Sequence, residues 1–263
     1  MSINSYLDNT ASNLIIKDDV KESISYSLEV FIDRMKDYFS NNESIDLLDI
    51  KVFGSYARNT NLPPHVDRNS DVDIMLVMTD DGSQPQTYLD RVRRAAEAKY
   101  STSYIKQSSP TVVLQMQHIK FEITPAIKNG ALHYIKKSND EWMITYCSTD
   151  LSNISEANKT NNNMIKPVIR LVKYWNVMNN YKGFHSYEIE KKIVNHYLIK
   201  QYQGYDTKQY LLTSFKLLRS LSMSSYQSER LEKAIDYLEE AINDEVDYPN
   251  IALEEIKRVI KEL

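Results

Sequence analysis

Apolar and polar positions alternate along the chain with two different periods, and the change of period divides it. From Asp18 or Asp19 to Phe39, Val20, Ile24, Leu28, Phe31, Ile32, Met35 and Phe39 recur at threes and fours, which predicts a long core-facing helix. The lead before it, residues 1–17, carries only a weak pattern. Leu47 to Phe53 reads as a strand, Gly54-Ser55 as the turn out of it, and Tyr56-Ala57-Arg58 as the start of a short helix. A polar loop runs from Asn61 to Asn69. A second strand is predicted from Asp71 to Met78, and a helix from Tyr88 to about Tyr100. Val112 to Gln117 and Ile119 to Thr124 read as two short strands, the second ended by Pro125 because proline cannot donate to the ladder.

Beyond Pro125 the pattern is less regular until about Glu156. Helical spacing then returns as far as Asn179, with Pro167 marking either the start of a helix or a kink in it. Gly183 breaks the chain. Four further helices follow, over Tyr187–Gln201, Thr207–Leu221, Ser228–Asn243 and Asn250–Leu263. Strands that precede a nearly all-helical remainder predict an α+β fold, a mixed β-sheet core with flanking helices plus a C-terminal helical bundle. The expected division is into residues 1–150 and 151–263, two lobes around a central cleft.

Composition narrows the function classes. At 263 residues the chain is long enough for one large or two closely packed domains, and 42% hydrophobic residues suffice for a core. A formal net charge of -4 argues against a whole-surface grip on nucleic acid. The single cysteine, Cys147, excludes an intrachain disulfide and a cysteine-cluster zinc site. Met1 to Asn13 lacks the basic and apolar regions of a secretory signal, and no run approaches the ~20 apolar residues of a membrane helix. A cytoplasmic protein with no membrane partner is expected.

The candidate chemistry lies in the polar breaks. Asp71 and Asp73 alternate with apolar residues on one strand, so they share a face. Two such carboxylates repel unless a cation sits between them, and Mg2+ is the hard ion that oxygen donors suit. The competing reading is a solvated strand boundary, where aspartate is common. Gly54-Ser55 tips the balance: glycine lets the backbone approach a ligand, and serine offers a hydroxyl and an N–H to a phosphate. A third acid is required, and Glu122 supplies it if its strand lies beside that of Asp73; otherwise Glu122 is an edge-strand residue facing water.

These residues resemble the signature of the polymerase-β-type nucleotidyltransferase superfamily: Gly54-Ser55-Tyr56-Ala57-Arg58, then Asp71-Val72-Asp73. The later stretches Arg170-Leu171-Val172-Lys173-Tyr174-Trp175-Asn176 and Phe184-His185-Ser186-Tyr187-Glu188-Ile189-Glu190 are similar to the helical half of the cyclic GMP-AMP synthase and oligoadenylate synthetase group, including the bacterial enzymes (CD-NTases) that make cyclic oligonucleotide signals. The resemblance covers about residues 20–220. It implies that Asp71, Asp73 and Glu122 are catalytic and hold two Mg2+ ions, with Mn2+ as a substitute. It implies nucleotide contacts from Gly54, Ser55, Lys173 and Ser186, and base stacking on Tyr187. The residues themselves leave other roles open: Lys173 as a lysine reaching past an apolar stripe to water, Ser186 as a helix cap, Tyr187 as core.

The implied function is the use of nucleoside triphosphates to make a cyclic or linear oligonucleotide second messenger in bacterial antiphage signalling, with an activating ligand and an effector protein as further partners. The alternative is addition to an RNA 3' end, as in CCA-adding or poly(A)-type enzymes; a third reading is a catalytically silent nucleotide-binding protein. The chain departs from the family pattern in three places. The loop from Ser55 to Asp71 is longer, Asn59 stands where glycine is expected, and the third acid is glutamate where aspartate is usual.

Overall fold

A computed structural model describes residues 1–130, 132–202, 204–221 and 224–263. The chain forms two compact units that are not continuous in sequence. One comprises residues 17–58 and 69–151, the other residues 1–16, 59–68 and 152–263. Unlike a single cut at residue 150, this grouping places the first sixteen residues and part of the long polar loop with the C-terminal helices.

The first unit is α/β in character. Helix α2 (Asp18–Asn42) is followed by β1 (Leu47–Phe53), the single-turn α3 (Gly54–Ala57), β2 (Val72–Met78) and α4 (Pro85–Lys99). Then come β3 (Tyr104–Ser108), β4 (Thr111–Gln115), β5 (Lys120–Asn129), β6 (Leu132–Lys136) and β7 (Trp142–Thr145). The described strands form one mixed sheet of order β1-β2-β5-β4-β3, with β6 and β7 continuing from the far end of β5. The central pair β2 and β5 is parallel, and the other pairs are antiparallel.

Alternation along β2 sends Ile74, Leu76 and Met78 to one face and Met75 and Val77 to the other; all five are fully buried. On the first face, Phe31 of α2 meets Phe121 of β5 edge-on, with ring centroids 5.5 Å apart. On the second, Met75 and Val77 cluster with Ala126 of β5, flanked by Phe53, Ile135 and Cys147.

Strand β5 corrects the expectation about Pro125. The proline does not end the strand but lies in its middle, opposite Leu76 of β2. Its tolerance has a visible reason. On its other edge, β5 pairs with β4 up to Ile123 and with β6 from Ala126, so Pro125 lies in a gap between two partners. The hairpin β6–β7 occupies the stretch whose sequence pattern was least regular, and β3 had no counterpart in that reading.

The second unit is all-helical among its described residues: α1 (Ile3–Asn13), α5 (Cys147–Thr160, whose first turn falls in the other unit), α6 (Ile165–Met178), α7 (Ser186–Ile199), α8 (Thr207–Leu218), α9 (Ser225–Asp244) and α10 (Pro249–Val259). Pro167 sits in the first turn of α6, the position where its missing N–H costs no helix bond. Helices α8 and α9 both open on capping boxes, Asp206 with Gln209 and Ser224 with Gln227.

Helix α1 is the main departure from the expected unpatterned lead. The Ser2 hydroxyl accepts from the Ser5 N–H and starts it, and Ile3, Tyr6, Leu7 and Ala11 form a buried stripe. The Tyr6 hydroxyl donates to the Ile260 carbonyl at 2.7 Å, tying the first helix to the last. Trp175 of α6 centres this core, edge-on to Phe215 of α8 at 4.9 Å.

Candidate active site

The strand register brings the expected acids together. In the parallel pairing of β2 with β5, Asp73 is opposite Glu122, and Val77 is opposite Ala126 four residues on. Asp73 and Glu122 therefore top the apolar stripe of Met75, Val77 and Ala126, on the same face of neighbouring strands. Asp71 stands one residue before β2. It is a quarter exposed, as is Glu122.

Gly54 explains itself against Asp73. Its φ is +68°, and a Cβ built there would lie 1.7 Å from Asp73 Oδ2. No side chain fits unless the Asp73 carboxylate moves, and the left-handed backbone independently favours glycine. The Gly-Ser turn thus seats the Asp73 carboxylate directly over the backbone, on the antiparallel β1–β2 pair in which Phe53 faces Asp73. Helix α3 after it is only one turn long, so its dipole adds little, and what the turn offers an anion is the N–H groups and hydroxyl of Gly54-Ser55.

Electrostatically the site is frustrated. Burial pushes the Asp73 carboxyl up to about 7, and the charges of Asp71 and Glu122 push the same way against Arg58 and Lys120. Burial also raises Asp71, against the hydrogen bond and charge of Lys120. Three carboxylates packed at the end of a buried strand pair are unstable as anions without a cation.

Lys120 was not foreseen. Its ammonium lies 2.9 Å from Asp71 Oδ2 and 2.9 Å from Glu122 Oε1, bridging the two. The signal was present, since Lys120 is two residues before Glu122 on one strand and so shares its face. Arg58, buried at the end of α3, was likewise quoted as motif and not weighed as charge. Among the described residues, no group of three or more His, Cys, Asp or Glu side chains is gathered as a ready metal cluster. The donor set nonetheless fits a hard divalent ion: all oxygen, and over-supplied with negative charge.

The helical unit holds the other expected residues. Lys173 of α6 is buried, and its ammonium meets Glu190 Oε2 of α7 at 3.1 Å and the Thr60 carbonyl at 3.1 Å. Thr60 donates in turn to the same Glu190 oxygen at 2.6 Å. Lys173 therefore does not reach for water; the anion a buried ammonium needs is Glu190. Arg170 donates to the Asn59 carbonyl at 3.0 Å and Lys182 pairs with Asp67 at 2.6 Å, so segment 59–68 is held at both ends. Asn59 has φ +57°, the conformation for which glycine was expected and which asparagine tolerates better than most residues.

Ser186 is the first residue of α7 and not its cap. His185 stands at the cap with extended backbone and no side-chain bond. Tyr187 is 46% exposed, which removes it from the core, and Lys191 lies 5.8 Å from its ring centroid. No described helix is long and apolar enough to cross a membrane.

A family model described as the Second Messenger Oligonucleotide or Dinucleotide Synthetase domain (SMODS) matches residues 1–158. A cyclic AMP-AMP-AMP synthase from an Acinetobacter strain is 28% identical over 130 residues, which is 46% of this chain and 37% of that protein. A probable cyclic nucleotide synthase of Bacillus cereus is 25% identical over 228 residues, or 71% of this chain and 67% of that one. The chain thus spans little more than a third of the first relative's length and two thirds of the second's. In fold it is similar to the Vibrio cholerae cyclic AMP-GMP synthase DncV, solved with the linear intermediate 5' pppA(3',5')pG. The TM-score is 0.75 at 11% identity, covering 99% of this chain and 96% of that one. With the family model matched over more than half its length, and the expected α+β nucleotidyltransferase fold in place, this chain belongs to the family of Second Messenger Oligonucleotide or Dinucleotide Synthetases.

Proposed function

We propose that this protein joins nucleoside triphosphates into a cyclic or linear oligonucleotide second messenger. The observation that carries the proposal is the seating of Asp73 over Gly54, opposite Glu122 in the β2–β5 register. Asp71, Asp73 and Glu122 would hold the divalent cations, two Mg2+ with Mn2+ as substitute. Bound there, such ions would lower the pKa of an acceptor hydroxyl and neutralise charge on the triphosphate.

The chain's own residues do the rest. The Gly54-Ser55 turn presents N–H groups and a hydroxyl to phosphate oxygens. The acceptor hydroxyl gives up its proton to solvent as its oxygen attacks the α-phosphorus, the bond to the bridging oxygen breaks, and pyrophosphate leaves with that electron pair. Most of the gain comes from alignment and from charge already in place.

Ser186 and Tyr187, both exposed at the start of α7, are assigned to the nucleotide, the serine to phosphate and the tyrosine to the base. Lys173 enters as the lysine the family places at the triphosphate. Its pairing with Glu190 also supports a role in fixing α7, on which Ser186 and Tyr187 sit. The relatives are described as cyclic nucleotide synthases, and DncV was solved with a 5'-triphosphorylated dinucleotide. Both support small nucleotides as substrates and products. A place in antiphage signalling, with an activating ligand and a downstream effector, belongs to the same proposal.

The test is to incubate the protein with each labelled triphosphate and with all four, plus Mg2+ or Mn2+, with and without RNA, and to treat the products with phosphatase. Labelled small products that resist phosphatase are expected. Label found only on RNA would move the assignment to 3'-end addition, and no incorporation under any condition would overturn it.

A further inference from the structure

The proposed metal site contains one group that the chemistry assigned to it does not use. Lys120 opens β5, two residues before Glu122 and on the same face. Its ammonium is 2.9 Å from Asp71 Oδ2 and 2.9 Å from Glu122 Oε1, and its side chain is only 19% exposed. A lysine so placed is not reaching for solvent. It lies between two carboxylates that would help hold a divalent ion, and it supplies the same sign of charge.

We infer that Lys120 is the site's internal counter-cation: it holds Asp71 and Glu122 in position while no divalent ion is bound, and it must release them when one binds. The inference rests on the proposed assignment of Asp71, Asp73 and Glu122 as metal ligands and adds a positioning residue to it. Three acids crowded at the head of two buried strands repel one another, and one ammonium between two of them relieves part of that repulsion. An incoming divalent ion then meets a competitor already in place. The exchange sets a threshold: the site fills only when the ion, or the ion with its nucleotide, outbids a tethered ammonium. Lys120 thereby tunes metal affinity downward while keeping the empty site assembled.

Two consequences oppose each other and so separate this role from a merely structural one. Loss of the ammonium should weaken the metal-free protein and strengthen its hold on metal. A lysine that only supported the fold would give the first effect without the second.

The experiment measures Mn2+ binding to the full chain without nucleotide, by the loss of the free-ion electron paramagnetic resonance signal, together with the thermal midpoint with and without Mn2+. The variants are Lys120→Met, Lys120→Gln, Lys120→Arg and Asp73→Asn. Lys120→Met and Lys120→Gln should bind Mn2+ at least about tenfold more tightly than the unaltered chain. Their midpoints should be lower without metal and recover on adding it. Lys120→Arg, which keeps the charge, should bind like the unaltered chain. Unchanged or weaker Mn2+ binding in whichever of the two neutral variants folds would overturn the counter-cation role. Failure of the underlying assignment looks different: Asp73→Asn would then bind Mn2+ as the unaltered chain does, whatever the Lys120 variants show.

Discussion

The two units treat buried charge in opposite ways. In the helical unit, Lys173 and Glu190 are paired at 3.1 Å with side chains 4% and 3% exposed, and Thr60 satisfies both. In the α/β unit, Asp71 and Glu122 share one lysine and stay about a quarter open, and burial pushes Asp73 up to about 7 against the charges of Arg58 and Lys120. The first arrangement is closed: charges balance and neighbouring donors are met. The second is left with excess charge of one sign, which is how a protein holds groups for a ligand it does not itself contain. The difference separates a pair whose charges balance within the protein from a cluster whose charges do not.

Breaking the closed pair should have the largest effect on stability. Lys173→Met leaves Glu190 buried without its cation and should cost about 3–5 kcal/mol in chemical denaturation. The double variant with Glu190→Leu should recover most of that loss, because it removes both charges together. If Lys173→Met were neutral, the scaffold reading of this pair would fail.

Gly54→Ala sharpens the other side of the comparison. The added methyl would fall 1.7 Å from Asp73 Oδ2 at a φ of +68°, so the carboxylate must move. Displacing a reacting group by about an ångström can cost on the order of 100-fold in rate, and such a loss in product formation is expected. Alanine should cost little more in stability than the strain of its backbone, about 1–2 kcal/mol. Full activity in Gly54→Ala would show that Asp73 does not need its seat.

The smallest effect concerns a partly open pair outside both clusters. Asp81 accepts from Arg91 and from the Tyr88 hydroxyl, each at 2.7 Å, and the Arg91 bond leads the effects that hold its carboxyl well below the usual range. A depressed carboxyl stabilises above its unfolded pKa, near ~3.9, and that contribution is lost as pH falls toward the folded value. Solvent screening limits it to about 1 kcal/mol or less. Asp81→Asn should therefore lower the midpoint slightly at pH 7 and flatten its decline below about pH 4, as read by calorimetry across pH.

Much of the candidate site was legible because strand alternation is a local rule. Asp71, Asp73 and Glu122 lie in apolar runs whose period fixes their face, and the register confirmed that Glu122 is opposite Asp73. Lys120 was equally legible by the same rule, but a lysine at a strand start reads as solvated unless its partners are known.

The misses have physical causes. The stripe of α1 is spaced among serines and asparagines that dilute it, and its burial comes from helices far along the chain, as the bond from Tyr6 to Ile260 shows. Pro125 was read as a strand end because its tolerance depends on where two other strands stop. Strands β6 and β7 are short, and their pairing is not a property of either segment alone. Glu190 entered the sequence reading only as part of a motif, and only the fold turns it inward to Lys173.

The central claim is that Asp71 and Asp73 serve chemistry and not architecture. The most direct measurement is release of pyrophosphate from labelled triphosphates in Mg2+ or Mn2+ by the unaltered chain and by the doubly substituted Asp71→Asn, Asp73→Asn chain, at matched folded fractions. Neutralising both acids should abolish pyrophosphate release while the protein stays folded, since the substitution relieves repulsion and removes no core contact. Pyrophosphate release from the double variant at the rate of the unaltered chain would contradict the account.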